Sequence, residues 1–119
     1  HSLEAANETI GGLANEFQAL RESQYGARFV RSAVEGLDAI VMTLINVAKE
    51  RSAEDFLLLN TITSENGNGI KGVRAAYLAE ESELDATERM QLLAAANHCE
   101  RLIWLFGEMG RDYRAFDRE

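Results

Sequence analysis

Apolar side chains recur along this chain at intervals of three and four, which is the rhythm of amphipathic helices. Residues 3–24 carry Leu3, Ala6, Ile10, Leu13, Phe17 and Leu20, a 3-4-3-4-3 spacing that predicts a helix with a heptad seam. Gly11 and Gly12 weaken that helix without shifting its register. The stretch SQYGAR (23–28) carries a stop signal with Gly26 as the candidate cap, unless the first two helices run on as one bent helix. Over 28–51, Phe29, Val30, Ala33, Val34, Leu37, Ile40, Val41, Leu44, Val47 and Ala48 make a broad apolar face, so this second helix is expected to be central. Lys49 and Arg51 sit where cations suit the helix dipole, and Ser52 with Asp55 resembles a capping box for the next helix.

The third segment, 53–80, poses the sharpest question. Gly67-Asn68-Gly69-Ile70-Lys71-Gly72 spells G-x-G-x-x-G, a dinucleotide-binding fingerprint. That reading needs a strand before the glycines and a βαβ unit around them. FLLLNTIT (56–63) passes for a strand in isolation, and Glu88 lies at a suggestive distance downstream, but no second strand pattern follows. On a helical projection, Asp55, Leu58, Leu59, Ile62, Asn66, Gly69, Ile70, Val73, Ala76 and Tyr77 share one face. The apolar register crosses the glycines without a slip, which argues for one continuous helix and for glycines that let a neighbouring helix approach. Each costs roughly 1 kcal/mol relative to alanine. Gly67 projects outward, where packing gives it no purpose.

An acidic turn, AEESELDATER (79–89), precedes the last helix, with Asp85 and Glu88 as its N-cap pattern. Leu92, Ala95, Ala96, Cys99, Leu102, Ile103, Phe106 and Met109 then line one face over about 86–112. Gly107 and Gly110 obscure where that helix ends. The reading is all-α: one domain over 1–119, an antiparallel bundle of three to four long helices (about 3–24, 28–51, 53–80 and 86–112).

Composition agrees. Proline is absent, as long helices prefer, and no apolar run is long enough to span a membrane. A net charge of −8 leaves no basic stripe for nucleic acid and opposes direct binding to anionic lipid. One cysteine, Cys99, fits a reducing compartment. If His1-Ser2 is the scar of a removed tag, the natural chain begins upstream.

Candidate chemistry is sparse. His98-Cys99-Glu100 clusters reactive types, but adjacent helical residues point about 100° apart and cannot chelate one ion together. The expectation there is a boundary histidine and a core thiol. Glu81 with Asp85, and Glu108 with Asp112, each place carboxylates four residues apart, a spacing that can hold a divalent cation. Trp104 projects away from Cys99, beside Leu93, Asn97 and Glu100. It therefore packs on a second neighbouring helix or meets a partner.

Three blocks carry a family resemblance: FVRSAVEGLDAIVMTLINVA (29–48), AEDFLLLNTITSENGNGIKGVRAAYLAEE (53–81) and ERMQLLAAANHCERLIWLFGEMG (88–110). In this order they resemble the cytoplasmic C-terminal PhoU-like domain of bacterial sodium/phosphate cotransporter family proteins. The distinctive parts are Glu35-Gly36-Leu37-Asp38-Ala39, the Ile70…Arg74…Tyr77-Leu78 block, and His98…Glu100-Arg101…Trp104-Leu105. In such relatives the segment aligned with SENGNGIKG is more charged, so the glycines are a local departure. PhoU proteins also carry acidic E/D-x-x-x-D motifs that bind metal clusters; only the two carboxylate pairs above match those letters.

The resemblance implies a membrane-embedded transporter half before residue 1 and a non-catalytic regulatory module on the cytoplasmic side of the inner membrane, with no cofactor. The module is expected to dock on the transmembrane part of the same transporter through Trp104, Leu93 and the seam of Leu3, Ile10, Leu13 and Phe17. The seam also suits a homodimer. The alternatives are a metal-binding bundle with Glu108 and Asp112 as ligands, or a stand-alone helical adaptor.

Overall fold

The computed structural model describes residues 2–22, 24–79 and 85–118, so Glu81 and most of the acidic turn lie outside the described residues. Four helices follow one another: α1 (Ser2–Leu20), α2 (Gln24–Glu50), α3 (Ala53–Ala79) and α4 (Ala86–Arg118). The all-helical bundle expected from the apolar rhythm is what forms.

The helices end for identifiable reasons. After α1 the chain turns, with the Arg21 amide donating to the Phe17 carbonyl at 3.1 Å and the Glu22 amide to Ala19 at 3.4 Å. The first two helices are therefore separate, and the break falls before Gly26. A left-handed glycine cap needs positive φ, and no described glycine has it; Gly26 is buried inside α2 instead. The residue that takes the left-handed conformation is Arg51, at φ 53°, just past α2. The chain reverses there, and α3 starts on the predicted cap. Ser52 Oγ accepts the Asp55 amide at 3.1 Å while its hydroxyl donates to Asp55 Oδ2 at 2.8 Å. Asp85 Oδ1 accepts the Glu88 amide at 2.8 Å and opens α4 in the same manner. The last helix continues past Gly107 and Gly110 to Arg118.

Both α2 and α4 touch all three other helices, whereas α1 and α3 do not touch each other among the described residues. The flanking helices thus sit on either side of an α2–α4 pair. Thirty-three residues of α4 span about 50 Å at 1.5 Å each, close to the 52 Å length of the molecule. The core is one cluster in which α1 supplies Leu13, Phe17 and Leu20, α2 supplies Phe29, Ile40 and Val47, and α4 supplies the largest share. Phe17 and Phe29 meet edge to face at 6.4 Å between centroids. Thr9 and Thr43 are buried, and their hydroxyls donate to the carbonyls of Ala5 and Ala39 at 2.8 Å.

The inner face of α3 is shifted from the projected one. Phe56 and Leu59 are buried and Ile62, Asn66, Ile70 and Val73 partly so, while Leu58 is exposed. Three consecutive leucines cannot all point inward at 100° per residue, and Leu59 takes the core position.

Candidate interaction surfaces

The glycine segment is helical throughout: α3 runs unbroken through Gly67, Gly69 and Gly72. The strand that a dinucleotide cradle requires is not there. The helix-approach reading of these glycines needs correction, however. A Cβ placed on Gly67, Gly69 or Gly72 would meet no atom outside its local helix backbone within 4 Å, and Gly69 and Gly72 are exposed to solvent. Close approach occurs elsewhere. A Cβ on Gly36 would run into the Asn66 amide, and one on Gly110 into the Leu59 side chain.

A groove of about 640 Å³ lies between α3 and α4. Gly67 and Lys71 line it from α3, and Arg101, Trp104, Gly107 and Arg111 line it from α4. Trp104 is 57% exposed at this groove, so neither α3 nor any other described element covers it. Its expected neighbour Leu93 is partly buried. Next to the groove, Arg74 ties α3 to α4, donating to Asn97 Oδ1 at 2.7 Å and pairing with Glu100 at 2.9 Å.

A second groove, of about 320 Å³, lies between α1 and α2. It is almost wholly apolar, with Leu102 and Phe106 of α4 among its lining. The seam residues proposed for pairing divide here. Leu13 and Phe17 are only 3% and 8% exposed and belong to the chain's own core, whereas Ile10 and Leu3 are 45% and 66% exposed. An associating helix would therefore meet the N-terminal end of the seam first.

The three consecutive residues His98, Cys99 and Glu100 serve three directions, as their 100° spacing dictates. His98 Nδ1 lies 2.7 Å from Glu16 Oε2 of α1, and Glu100 faces Arg74 of α3. Cys99 between them is fully buried. Burial, with the Glu16 and Glu100 carboxylates adding to it, pushes its thiol from 9.0 up to about 12. A protonated, inaccessible thiol is not a nucleophile.

Of the two carboxylate pairs, Glu81 with Asp85 lies partly outside the described residues, and Glu108 with Asp112 gathers no third ligand. Glu108 accepts from Arg111 Nε at 3.1 Å and again from Nη2, so its charge is answered by a guanidinium, while Asp112 is exposed. Among the described residues no group of three or more His, Cys, Asp or Glu side chains could hold a metal ion. No described helix is long and apolar enough to cross a membrane. Set against known proteins, the chain matches no family model, no curated protein and no solved structure.

Two features of these surfaces escaped sequence reasoning. One is the grouping of Lys71, Arg101 and Arg111, which lie on two helices and adjoin only in the fold. The other is the packing role of Gly110. Its one legible signal was the alignment of Gly110 with Phe106 and Ile103 on the core face of α4.

Proposed function

We propose that this chain is a non-catalytic interaction and regulatory domain, PhoU-like, of a sodium-dependent phosphate transporter. In this reading it lies on the cytoplasmic side of the inner membrane and docks on the transporter's transmembrane part. The observation that carries the docking role is the set of large apolar side chains left outside a closed core: Trp104, Met42, Ile45, Leu57 and Leu58. Large apolar side chains left outside a formed core suit contact with other helices. The assignment to a phosphate transporter rests on the three resembling blocks, all of which fall largely within α2, α3 and α4.

The test uses the natural full-length protein in its membrane. A photo-crosslinking amino acid is placed at position 42, 57 or 104 in separate variants. The expected result is an intramolecular adduct to membrane-embedded segments, and upstream sequence containing apolar spans of about 20 residues. An upstream sequence without such spans, with adducts to a soluble protein, overturns the transporter assignment in favour of a stand-alone adaptor.

A further inference from the structure

We infer that the α3–α4 groove is the seat of an acidic amphipathic helix from a partner segment. The inference rests on the reading of this chain as a docking module and names which face docks and the chemistry of what docks there.

The lining residues form rows along two adjacent helices, with Thr63, Gly67 and Lys71 on α3 and Ile103, Gly107 and Arg111 on α4, each spaced by four. Two such rows leave the trough into which a third helix packs. On α4 the lining runs from 97 to 111, about 21 Å of helix, enough to seat four turns. Gly67 and Gly107 keep the trough clear, and the space above Gly67 is open. A small ligand is a poorer fit, because the trough is open and mixes polar and apolar groups, where small-molecule sites are concave and mostly apolar.

The chain carries a net −8, yet this trough is lined by Lys71, Arg101 and Arg111 against the single carboxylate Glu100. Arg111 is engaged by Glu108, and Glu100 by Arg74. Lys71 and Arg101 form no ion pair among the described residues. Local reversal of the overall sign selects an acidic partner and steers it to this face. Trp104, exposed at the trough, supplies the apolar anchor. The occupant is therefore a helix with leucine or alanine along its inner row and glutamates on both flanks.

The probe is a synthetic 20-residue helical peptide of that pattern, with a control carrying lysine in place of every glutamate. The chain has one tryptophan, so Trp104 emission reports occupancy of the trough directly. The glutamate peptide is expected to shift Trp104 emission to the blue and to bind at least tenfold more tightly than the lysine peptide. Gly67→Leu is expected to weaken binding at least tenfold while helicity and melting temperature are kept or raised. Lys71→Glu with Arg101→Glu should invert the preference between the peptides. Equal binding of the two peptides, no binding of either, or indifference to Gly67→Leu overturns the inference. So does displacement of the peptide by sodium triphosphate beyond the effect of matched ionic strength, which would mark a small-polyanion site. Cross-links from position 42 to the transporter would survive such a result, so failure of this seat is distinct from failure of the docking role.

Discussion

The two flanking helices, α1 and α3, are held to the same central pair by different means. In α1 every turn from Ala6 to Leu20 buries a residue: Ala6, Thr9, Leu13, Phe17 and Leu20. Among the side chains described in α3, the buried ones, Phe56 and Leu59, fall in the first two turns. Beyond them Ile62, Ile70 and Val73 are only partly covered, and the helix is tethered by polar contacts from Arg74 to Asn97 and Glu100. Periodic burial fixes a helix by the hydrophobic effect, which scales with area removed from water. Polar tethers hold position with less stabilisation, and they tolerate a gap. The gap is where the trough lies.

The largest expected effect tests this contrast directly. Phe17→Ala removes a buried ring that meets Phe29 and should cost about 3–5 kcal/mol in chemical denaturation. Ile70→Ala, at a partly covered position, should cost only about 1 kcal/mol. Equal losses at the two sites would erase the distinction between the flanking helices.

Gly110→Ala sharpens the comparison from the α4 side. The added methyl would collide with the side chain of Leu59, which is buried in the core and would have to shift against its neighbours. Overpacking of this kind costs about 1–3 kcal/mol. The first turns of α3 would carry the loss, so a thermal melt should show Gly110→Ala clearly below the parent chain.

How much of this was legible in the chain follows the same division. In α1 the inward positions Ala6, Leu13, Phe17 and Leu20 were legible from the 3-4 seam, but Leu3 and Ile10 of that seam are exposed and Thr9 is buried beside it. The starts of α3 and α4 were legible because Ser52 and Asp85 act through local hydrogen bonds, three residues ahead. Continuity through Gly67, Gly69 and Gly72 was legible from unbroken register. The end of α1 was not, because Gly26 suggested a left-handed cap while the turn forms at Arg21 and Glu22. The trough was not legible either. It depends on how far α3 stands from α4, a distance set by side chains elsewhere, such as Leu59 against Gly110. Spacing within one helix carries no information about that separation.

Cys99 provides an effect that appears only in alkali and has a defined sign. In the fold its thiol stays protonated up to about pH 12, while the unfolded chain releases that proton above about pH 9. Above pH 9 the unfolded state therefore holds fewer protons, and stability falls as pH rises. The slope from this group is about 1.4 kcal/mol per pH unit between pH 9 and 12, and nothing below pH 9. Cys99→Ala lowers stability through the small void it leaves but removes the slope. Urea titrations of both chains at pH 8, 9, 10 and 11 should give converging stabilities. Parallel profiles would show that the thiol is not excluded from water.

The smallest effect runs in the opposite direction and bears on α3 alone. Gly72 is exposed, helical, and has open space where a Cβ would stand. Alanine there restricts the unfolded chain and shields the backbone without touching a neighbour, so Gly72→Ala should raise stability by about 1 kcal/mol. The control is Gly36→Ala, also mid-helix, where the methyl meets the Asn66 amide that donates to the Ile62 carbonyl at 2.7 Å. That variant must displace Asn66 and should gain less or lose. A gain at Gly72 with none at Gly36 means the α3 glycines weaken the helix without serving its packing. A loss at Gly72 would mean that α3 is not helical there in solution. The polar tethers would then be holding a loop, and the comparison between the two flanking helices would fail at its root.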